Sequence, residues 1–241
     1  MIDKLKDFQL LLLGLLIASG MVASTVVVAG NISKDNISVT GSAYEIVKSD
    51  SAEWSFEVAV KNADRTAAFK ALKDTQPVIK QYLLERGIED SQINIAPPNS
   101  YETHKNLPNG SYSNDVDYYN YTQTYKISSN DVEKIKDLSV SIHDLVEQGI
   151  TVSGYTPEYQ YSKISDLKIK LLGEATKDAK QRADAMLKAN NDKVGSIRSV
   201  KMGVFQITPP NSNSVTDYGI NDSSTIEKKV TAVANVVFAV K

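Results

Sequence analysis

The residues best suited to catalysis are scarce in this chain of 241 residues. It contains no cysteine and only two histidines, His104 and His143. The lack of cysteine excludes disulfides, thiolate catalysis, iron–sulfur clusters and cysteine-ligated zinc. A two-histidine metal site or a histidine-based triad would need both imidazoles in one pocket, yet His104 borders a predicted loop and His143 falls in a predicted helix. We therefore expect His143, between Ile142 and Asp144, at the surface or boundary of the fold and in no catalytic site.

Three aspartates beside hydroxyl side chains carry the remaining potential for chemistry. Asp50 follows Ser49, and Asp217 and Asp222 lie in the stretch TDYGINDSS at 216–224. Carboxylates are ligands for hard cations such as calcium, but this spacing matches no EF-hand loop, and aspartate-rich turns are common without metal. The alternative is a hydrolase or ligand-binding enzyme in which Asp50, Asp217 and Asp222 converge in one pocket. The prediction is that the chain has no catalytic, cofactor-binding or metal-binding residue.

Familiar catalytic motifs are missing as well. The sequence has no glycine-rich phosphate loop, no G-x-S-x-G elbow and no H-E-x-x-H. Asp178 and Arg182 are four residues apart in a predicted helix, which is typical of an exposed ion pair. The alternative interpretation is an ion pair that locks a subunit interface. We predict a protein that is not an enzyme and that needs no cofactor.

Aromatic residues cluster in one segment. Six of the twelve tyrosines fall between Tyr101 and Tyr125, and interleaved aromatics can stack on bases or sugars. Only Lys105 and Lys126 supply positive charge there, and the whole chain has a net charge of −2. Because nucleic-acid binding depends on positive charge, we predict no nucleic-acid partner. We expect these tyrosines in sheet packing or at a protein interface, and any small-molecule ligand stays unknown.

Hydrophobic periodicity predicts the elements that position these residues. In AEWSFEVAV, at 52–60, apolar and polar residues alternate, which is typical of a half-buried strand. Between Asp64 and Gly87 apolar residues recur every three or four positions, which predicts a helix that is kinked or restarted at Pro77. The same reasoning predicts strands at 36–48, 92–96, 116–128, 150–162, 194–208 and 227–240. It also predicts helices at 130–149 and 164–190, the first of which begins with a capping box of Asn130 and Glu133.

Two six-residue stretches nearly repeat: IAPPNS at 95–100 and ITPPNS at 207–212. Both occupy one place in a strand–helix–strand–loop–strand order, first at about 51–128 and again at about 150–240. Proline, asparagine and serine are turn formers, so a duplicated turn is favoured over a duplicated active site. Coincidence is the other alternative, because the rest of the two units aligns poorly.

The last predicted strand, VTAVANVVFAV, has apolar residues on both faces and no charge between Lys229 and Lys241. A strand at a solvated edge should alternate and carry charges. We therefore expect this strand to be central and covered on both faces, by helices of the same chain or by a neighbouring subunit. This expectation motivates the prediction that the domain self-associates.

The N-terminal segment 8–30 carries no charge over 23 residues. As a helix it would be about 34 Å long, enough for a bilayer core of about 30 Å. Secretory signals usually have shorter apolar runs, so an uncleaved anchor is favoured, although Val27 and Ala29 resemble a site for cleavage after Ala29. Positive charge near Lys4 and Lys6 is offset by acidic neighbours, and the expected orientation places the C-terminal bulk outside the cytoplasm.

The sequence resembles the SIMPL-domain family, bacterial extracytoplasmic proteins of largely unknown function, and within it the branch with an N-terminal membrane segment. The resemblance lies in ISVTGSAYEIVKSDSAEW (37–54), YLLERGI (82–88), GITVSGYTPEYQYSKISDLK (149–168), EATKDAKQRADAM (174–186) and the block 202–233. It implies an α/β fold with antiparallel sheets and packed helices, assembly into rings or higher oligomers, and links to envelope or oxidative-stress phenotypes. It implies no catalytic residues.

These observations together predict an α+β protein with a duplicated strand–helix–strand–strand domain and a mostly antiparallel sheet. We expect a tail at 1–7, a transmembrane helix or signal anchor at 8–30, and an extracytoplasmic domain at 31–241 with candidate subunits 37–128 and 130–240. The expected protein is a non-enzymatic envelope protein that acts through self-assembly or protein contacts. We expect it to be a homo-oligomer, held in the bacterial cytoplasmic (inner) membrane by a single pass. The alternative is a soluble periplasmic protein released by signal cleavage.

Overall fold

The computed structural model describes residues 35–108 and 110–241. Its strands are β1 (Asn36–Lys48), β2 (Ser51–Asn62), β3 (Ile93–Ile95), β4 (Asn99–Asn106), β5 (Tyr112–Ser129), β6 (Thr151–Gly154), β7 (Glu158–Gln160), β8 (Val194–Met202), β9 (Gln206–Thr208), β10 (Ile220–Asn221) and β11 (Glu227–Val240). Its helices are α1 (Arg65–Glu85), α2 (Val132–Ser141), α3 (Asp144–Glu147) and α4 (Ile164–Lys188), with a 3₁₀ turn at Asp90–Gln92. The predicted mixture of helices with antiparallel sheet is confirmed.

The described chain divides into two compact units that are each discontinuous in sequence. The larger unit comprises Tyr44–Ile169 and Phe205–Thr231, and the smaller unit comprises the described residues up to Ala43 with Lys170–Val204 and Ala232–Lys241. Three elements, β1, α4 and β11, contribute residues to both. The candidate subunits 37–128 and 130–240 stay a prediction.

The larger unit is built on a six-stranded sheet with the order β3–β5–β2–β6, in which β4 also pairs with β5 and β7 with β2. Every one of these pairings is antiparallel. The predicted alternation in β2 is confirmed, because Trp54, Phe56 and Val58 are buried while the polar residues between them are not. Helices α1 and α2 pack on that face and bury leucine and isoleucine side chains against it.

Helix α1 follows its local signals. The Asp64 side chain caps it by accepting a hydrogen bond of 2.7 Å from the Ala67 N–H. Gly87 follows the last turn with φ of +74°, a conformation that favours glycine at helix ends. The helix runs through Pro77 without a second start.

Several predicted boundaries were wrong in detail. The helix predicted at 130–149 is two helices, α2 and α3, and its cap is Asp131 rather than Asn130, with the Lys134 N–H donating to the Asp131 carboxylate at 3.0 Å. The strand predicted at 150–162 is split into β6 and β7, and that at 194–208 into β8 and β9. Strand β4 occupies a segment predicted to be a loop. Both PPNS copies follow short strands, β3 and β9. The first copy runs into β4 at Asn99, whereas the strand after the second copy, β10, begins only at Ile220.

The smaller unit packs the second part of α4 on a sheet in which β11 pairs with β1 and with β8. The helix presents alanines to the sheet, and Ala175, Ala179 and Ala183 are all fully buried. Gly41 of β1 lies directly against the helix backbone: a Cβ at that position would be 2.1 Å from the Ala175 carbonyl oxygen. This close approach explains the glycine in β1.

No helix in the described part of the chain is long and apolar enough to cross a membrane. The segment 8–30, predicted as a transmembrane helix or signal anchor, lies outside the described residues.

Candidate functional site

Two of the three acidic residues singled out from the sequence, Asp50 and Asp222, lie beside β7. The Asp50 backbone N–H donates to the Gln160 carbonyl on one edge of this strand, and the Tyr159 N–H donates to the Ser223 carbonyl on the other. The backbone groups of consecutive residues in a strand point to opposite edges. Asp50 and the residues next to Ser223 therefore lie on opposite sides of β7.

The Asp50 carboxylate is held mainly by Ser162. It accepts hydrogen bonds from the Ser162 N–H at 2.8 Å and the Ser162 hydroxyl at 2.6 Å. These bonds stabilise the charged form, so the pKa of Asp50 lies below its ordinary value. Asp50 therefore fixes the chain where β7 leads into α4.

Asp222 belongs to a denser polar cluster. Its carboxylate accepts from the Ser224 N–H at 3.0 Å, from the Ser224 hydroxyl at 2.7 Å and from the Thr225 hydroxyl, the pattern of an aspartate turn. Burial favours the neutral acid, but these hydrogen bonds outweigh it and the pKa of Asp222 lies below its usual range. The Lys228 ammonium donates to the Asp222 carbonyl oxygen at 2.6 Å and lies 3.8 Å from its carboxylate.

Lys228 is the buried cation of this cluster, and sequence reasoning missed it. Its side chain is only 4% exposed, and burial lowers the pKa of its ammonium while the Asp222 carboxylate offsets part of that effect. The sequence contained a pattern that indicates this burial. Lys228 is two residues before the buried Val230, and successive side chains of a strand alternate between its faces. A lysine in phase with the buried face predicts a buried ion pair.

A cavity of about 320 Å³ adjoins this cluster. Asp222, Lys228 and Tyr159 line it, but Asp50 and Asp217 do not, and Asp217 is exposed. The three aspartates thus do not meet in this cavity, whereas the hydrolase alternative required that they share one pocket. Across residues 35–108 and 110–241, no three histidine, aspartate or glutamate side chains come together in an arrangement that would hold a metal ion.

The two histidines lie in different parts of the secondary structure. His104 lies on β4 opposite Val116 of β5, and its Nδ1 is buried with no hydrogen-bond partner among the described residues. His143 lies between α2 and α3 and is exposed, as predicted.

The Asp178–Arg182 pair combines a helix-surface contact with a link to the sheet. The Arg182 Nε lies 2.9 Å from the Asp178 carboxylate, and the same carboxylate accepts a hydrogen bond of 2.8 Å from the Ser42 N–H. The bond from Ser42, together with that from Arg182, lowers the pKa of Asp178. The pair therefore fastens α4 to β1 beside Gly41, a role that spacing alone did not reveal.

The tyrosine-rich segment is β5. Its inward side contributes to the core, where the Tyr125 ring stacks on Phe56 with a centroid distance of 5.0 Å. Nearer the other end of the strand, Tyr121 accepts from Arg65 Nε at 3.4 Å and packs on Phe69. Sheet packing is therefore the role of these two tyrosines, as one of the sequence interpretations expected.

The last strand, β11, is central as predicted, and the described residues fully cover only one of its faces. Ala234, Val236 and Phe238 are buried, whereas Val233 and Val237 on the opposite face are half-buried and Asn235 is exposed. Within the described residues α4 covers one side of the sheet, and on the other side, of the apolar residues Val233, Val237 and Ala239, Ala239 alone is buried. Cover of that second face by a neighbouring subunit stays a prediction.

Strand β8 carries an uncovered apolar row. Ile197, Val200 and Met202 are 51%, 50% and 59% exposed. They are the register partners of Phe238, Val236 and Ala234 on β11, and partners across a ladder share one face. The row therefore extends the buried face of the sheet beyond α4. Within the described residues β8 pairs with β11 alone, so its outer edge keeps free backbone donors and acceptors.

The comparison with protein families identifies the chain's relatives. A search of curated proteins found no match. The family model described as SIMPL, protein of unknown function (DUF541), matches residues 37–238, which includes both compact units nearly in full. The chain therefore belongs to the SIMPL family.

Proposed function

We propose that this protein is a non-enzymatic, membrane-tethered envelope protein of the SIMPL type that acts by self-assembly. The observation that carries this proposal is the uncovered apolar row of β8, Ile197, Val200 and Met202, on a strand with a free edge. A free strand edge can pair with a strand of another chain, and a contiguous apolar row beside it supplies the hydrophobic contribution that such pairing needs.

The proposed location is the bacterial cytoplasmic (inner) membrane, with residues 8–30 as a single-pass anchor and the domain outside the cytoplasm. The charge-free segment of 23 residues supports it. We further propose a role in envelope or oxidative-stress defence, which rests on the resemblance to the family. A reporter fused after Lys241 tests the orientation, because a cytoplasmic signal would contradict it. The mass of the mature N-terminus separates an uncleaved anchor from a periplasmic form cut after Ala29.

Self-assembly can be tested by cysteine cross-linking, since the chain contains no cysteine of its own. Single variants Ile197→Cys, Val200→Cys and Met202→Cys of the full chain would each place one thiol in the proposed interface. Any disulfide dimer formed after mild oxidation must then join two copies. Lys177→Cys is the matched control, because it is also exposed in the smaller unit but lies on α4.

We expect a disulfide dimer from at least one of the β8 variants and none from the control. Val200→Glu should abolish the association, since a charge in the apolar row would have to be buried unpaired. A full chain that sediments as a strict monomer at high micromolar concentration, with no β8 cross-link, would refute self-assembly.

A further inference from the structure

A second cavity, of about 370 Å³, lies in the larger unit between α1 and the edge strand β3. Pro77 and Gln76 line it from α1, Ile93 and Ile95 from β3, and Tyr125 from β5. It is separate from the β8 row and from the Asp222 cluster, so its role does not depend on the proposed function. Its volume lies at the lower end of the range for small-molecule pockets, about 300–1,000 Å³.

The walls of this cavity are apolar. Ile93 and Ile95 are register partners of Ile127 and Tyr125, so they extend the buried face of the sheet towards the strand edge. Ile95 is nevertheless 48% exposed, and Pro77, which has no N–H to donate, lines the same cavity from α1. A flat apolar group would fit between these walls and remove them from water.

Two of the polar side chains that line the cavity, Gln76 and Tyr125, are neutral. The side chain of the buried Gln123 donates to the Ala96 carbonyl at 3.1 Å and accepts from the Gln76 amide at 2.9 Å. The Tyr125 hydroxyl reaches the same Gln123 oxygen only at 3.4 Å, which is long for a hydroxyl donor. Burial raises the pKa of Tyr125 to about 12, so the phenol is protonated in any physiological compartment. Gln76 uses one amide N–H in its hydrogen bond to Gln123. Gln76 and Tyr125 can therefore both form hydrogen bonds with a ligand, and neither side chain carries a charge.

The two charged side chains that line the cavity pair with each other. Lys80 and Asp90 both line it, and the Lys80 ammonium lies 2.5 Å from the Asp90 carboxylate. The pair is exposed and stabilises the fold little, but it leaves no unpaired charge among the residues that line the cavity. A charged ligand would lose hydration without gaining a free counter-charge, so the cavity favours a neutral ligand.

We infer that the α1–β3 cavity is a binding site for a small neutral molecule with a planar apolar body and an amide-like polar end. The apolar body lies between Pro77 and Ile95, and the polar end exchanges hydrogen bonds with Gln76 and Tyr125. No charged group of the ligand is needed, and a carboxylate at the polar end disfavours binding.

Benzamide is a suitable probe, because it has an aromatic ring and one primary amide. The full chain, reconstituted in lipid nanodiscs with isoleucine methyl groups labelled, would be titrated with benzamide and, separately, with benzoate. We expect saturable methyl shifts centred on Ile93 and Ile95 with benzamide, and at least tenfold weaker binding of benzoate, which has nearly the same shape and a negative charge. Equal or tighter binding of benzoate would overturn the inference of a neutral ligand.

Two variants test the position of the site. Ile95→Trp should fill the cavity and remove the benzamide shifts, whereas Val78→Trp, on the same helix as Pro77 but outside the lining, should leave them unchanged. Gln76→Leu keeps the apolar walls and should weaken binding at least tenfold by removing the amide partner. Unchanged methyl signals of the isoleucines distant from the cavity would show that each free variant folds. Shifts that do not saturate, or that persist in both Ile95→Trp and Gln76→Leu, would refute the site.

Discussion

Replacing Gly41 with alanine should severely destabilise the smaller unit. The added Cβ would lie 2.1 Å from the Ala175 carbonyl oxygen and 2.3 Å from the Ala179 backbone nitrogen. Both neighbours are helix backbone, which cannot rotate away as a flexible side chain does. The only relief is to move α4 away from β1.

The size of the effect follows from the movement required. Ordinary van der Waals contact begins near 3.4 Å, so the helix must move by more than 1 Å. A gap of 0.5–1 Å already removes about a quarter to a half of the dispersion energy of a contact, and the fully buried Ala175, Ala179 and Ala183 all lose contacts together. Overpacking usually costs about 1–3 kcal/mol. We expect Gly41→Ala to lower the free energy of unfolding by at least about 3 kcal/mol, at the top of that range.

Urea unfolding of residues 31–241, followed by circular dichroism at 222 nm, measures this loss. Gly173→Ala is the matched control, because Gly173 lies in α4, the helix that Gly41 contacts, and its added Cβ would meet no atom within 4 Å. Alanine is favoured over glycine inside a helix by about 0.5–1 kcal/mol, so the control should stabilise the protein. The reasoning would be refuted if Gly41→Ala changed the unfolding free energy by less than about 0.5 kcal/mol, a typical limit for neutral surface changes.

Three further predictions concern the larger unit. Asp222→Asn should cost about 3 kcal/mol, because it leaves the buried Lys228 without a counter-charge, and adding Lys228→Met should restore part of the loss in urea unfolding. The pKa of Asp50 is lowered in the folded protein. Its carboxylate therefore stabilises the fold fully at pH values above its pKa in the unfolded chain, about 3.9. This contribution is lost as the pH falls through the folded pKa, so Asp50→Asn should flatten the acid limb of the stability–pH curve, and an unchanged limb would contradict the assignment. Tyr82→Phe removes the hydroxyl that donates to the Ser141 carbonyl and should lower the thermal midpoint by an amount equivalent to about 1 kcal/mol; a midpoint equal to the wild type's would count against that bond.

Local sequence signals were sufficient to predict those elements whose conformation is determined by their own residues. The alternation around Trp54 predicts β2, and Asp64 and Gly87 mark the ends of α1, because caps and periodicity act within a few residues. Strand β4 was missed for the opposite reason. Its exposed, polar residues carry no apolar alternation, and it is a strand only because β5 pairs with it.

The candidate site was predictable only in part. The aspartate turn at Asp222 was visible in the sequence, but its relation to Asp50 depends on β7, a strand of three residues whose two edges contact segments distant in sequence. The α1–β3 cavity depends on Ile95 and Tyr125 meeting across a ladder and on Gln76 reaching Gln123. Such long-range contacts cannot be read from periodicity, which reports only one element at a time.

The two ends of strand β5 are paired with different numbers of strands, so they should differ in mobility. The strand pairs with β2 only as far as Tyr119, opposite Asn62, whereas β4 accompanies it to Tyr112. Residues 112–118 therefore belong to a two-stranded ribbon, which has little independent stability in water. Amide hydrogens there should exchange by local opening at low free energy, while those of Tyr125 and Ile127 should exchange only when the sheet itself unfolds. One continuous strand would thus show two classes of protection, and the far end of the β4–β5 hairpin would open and close without any change in global stability.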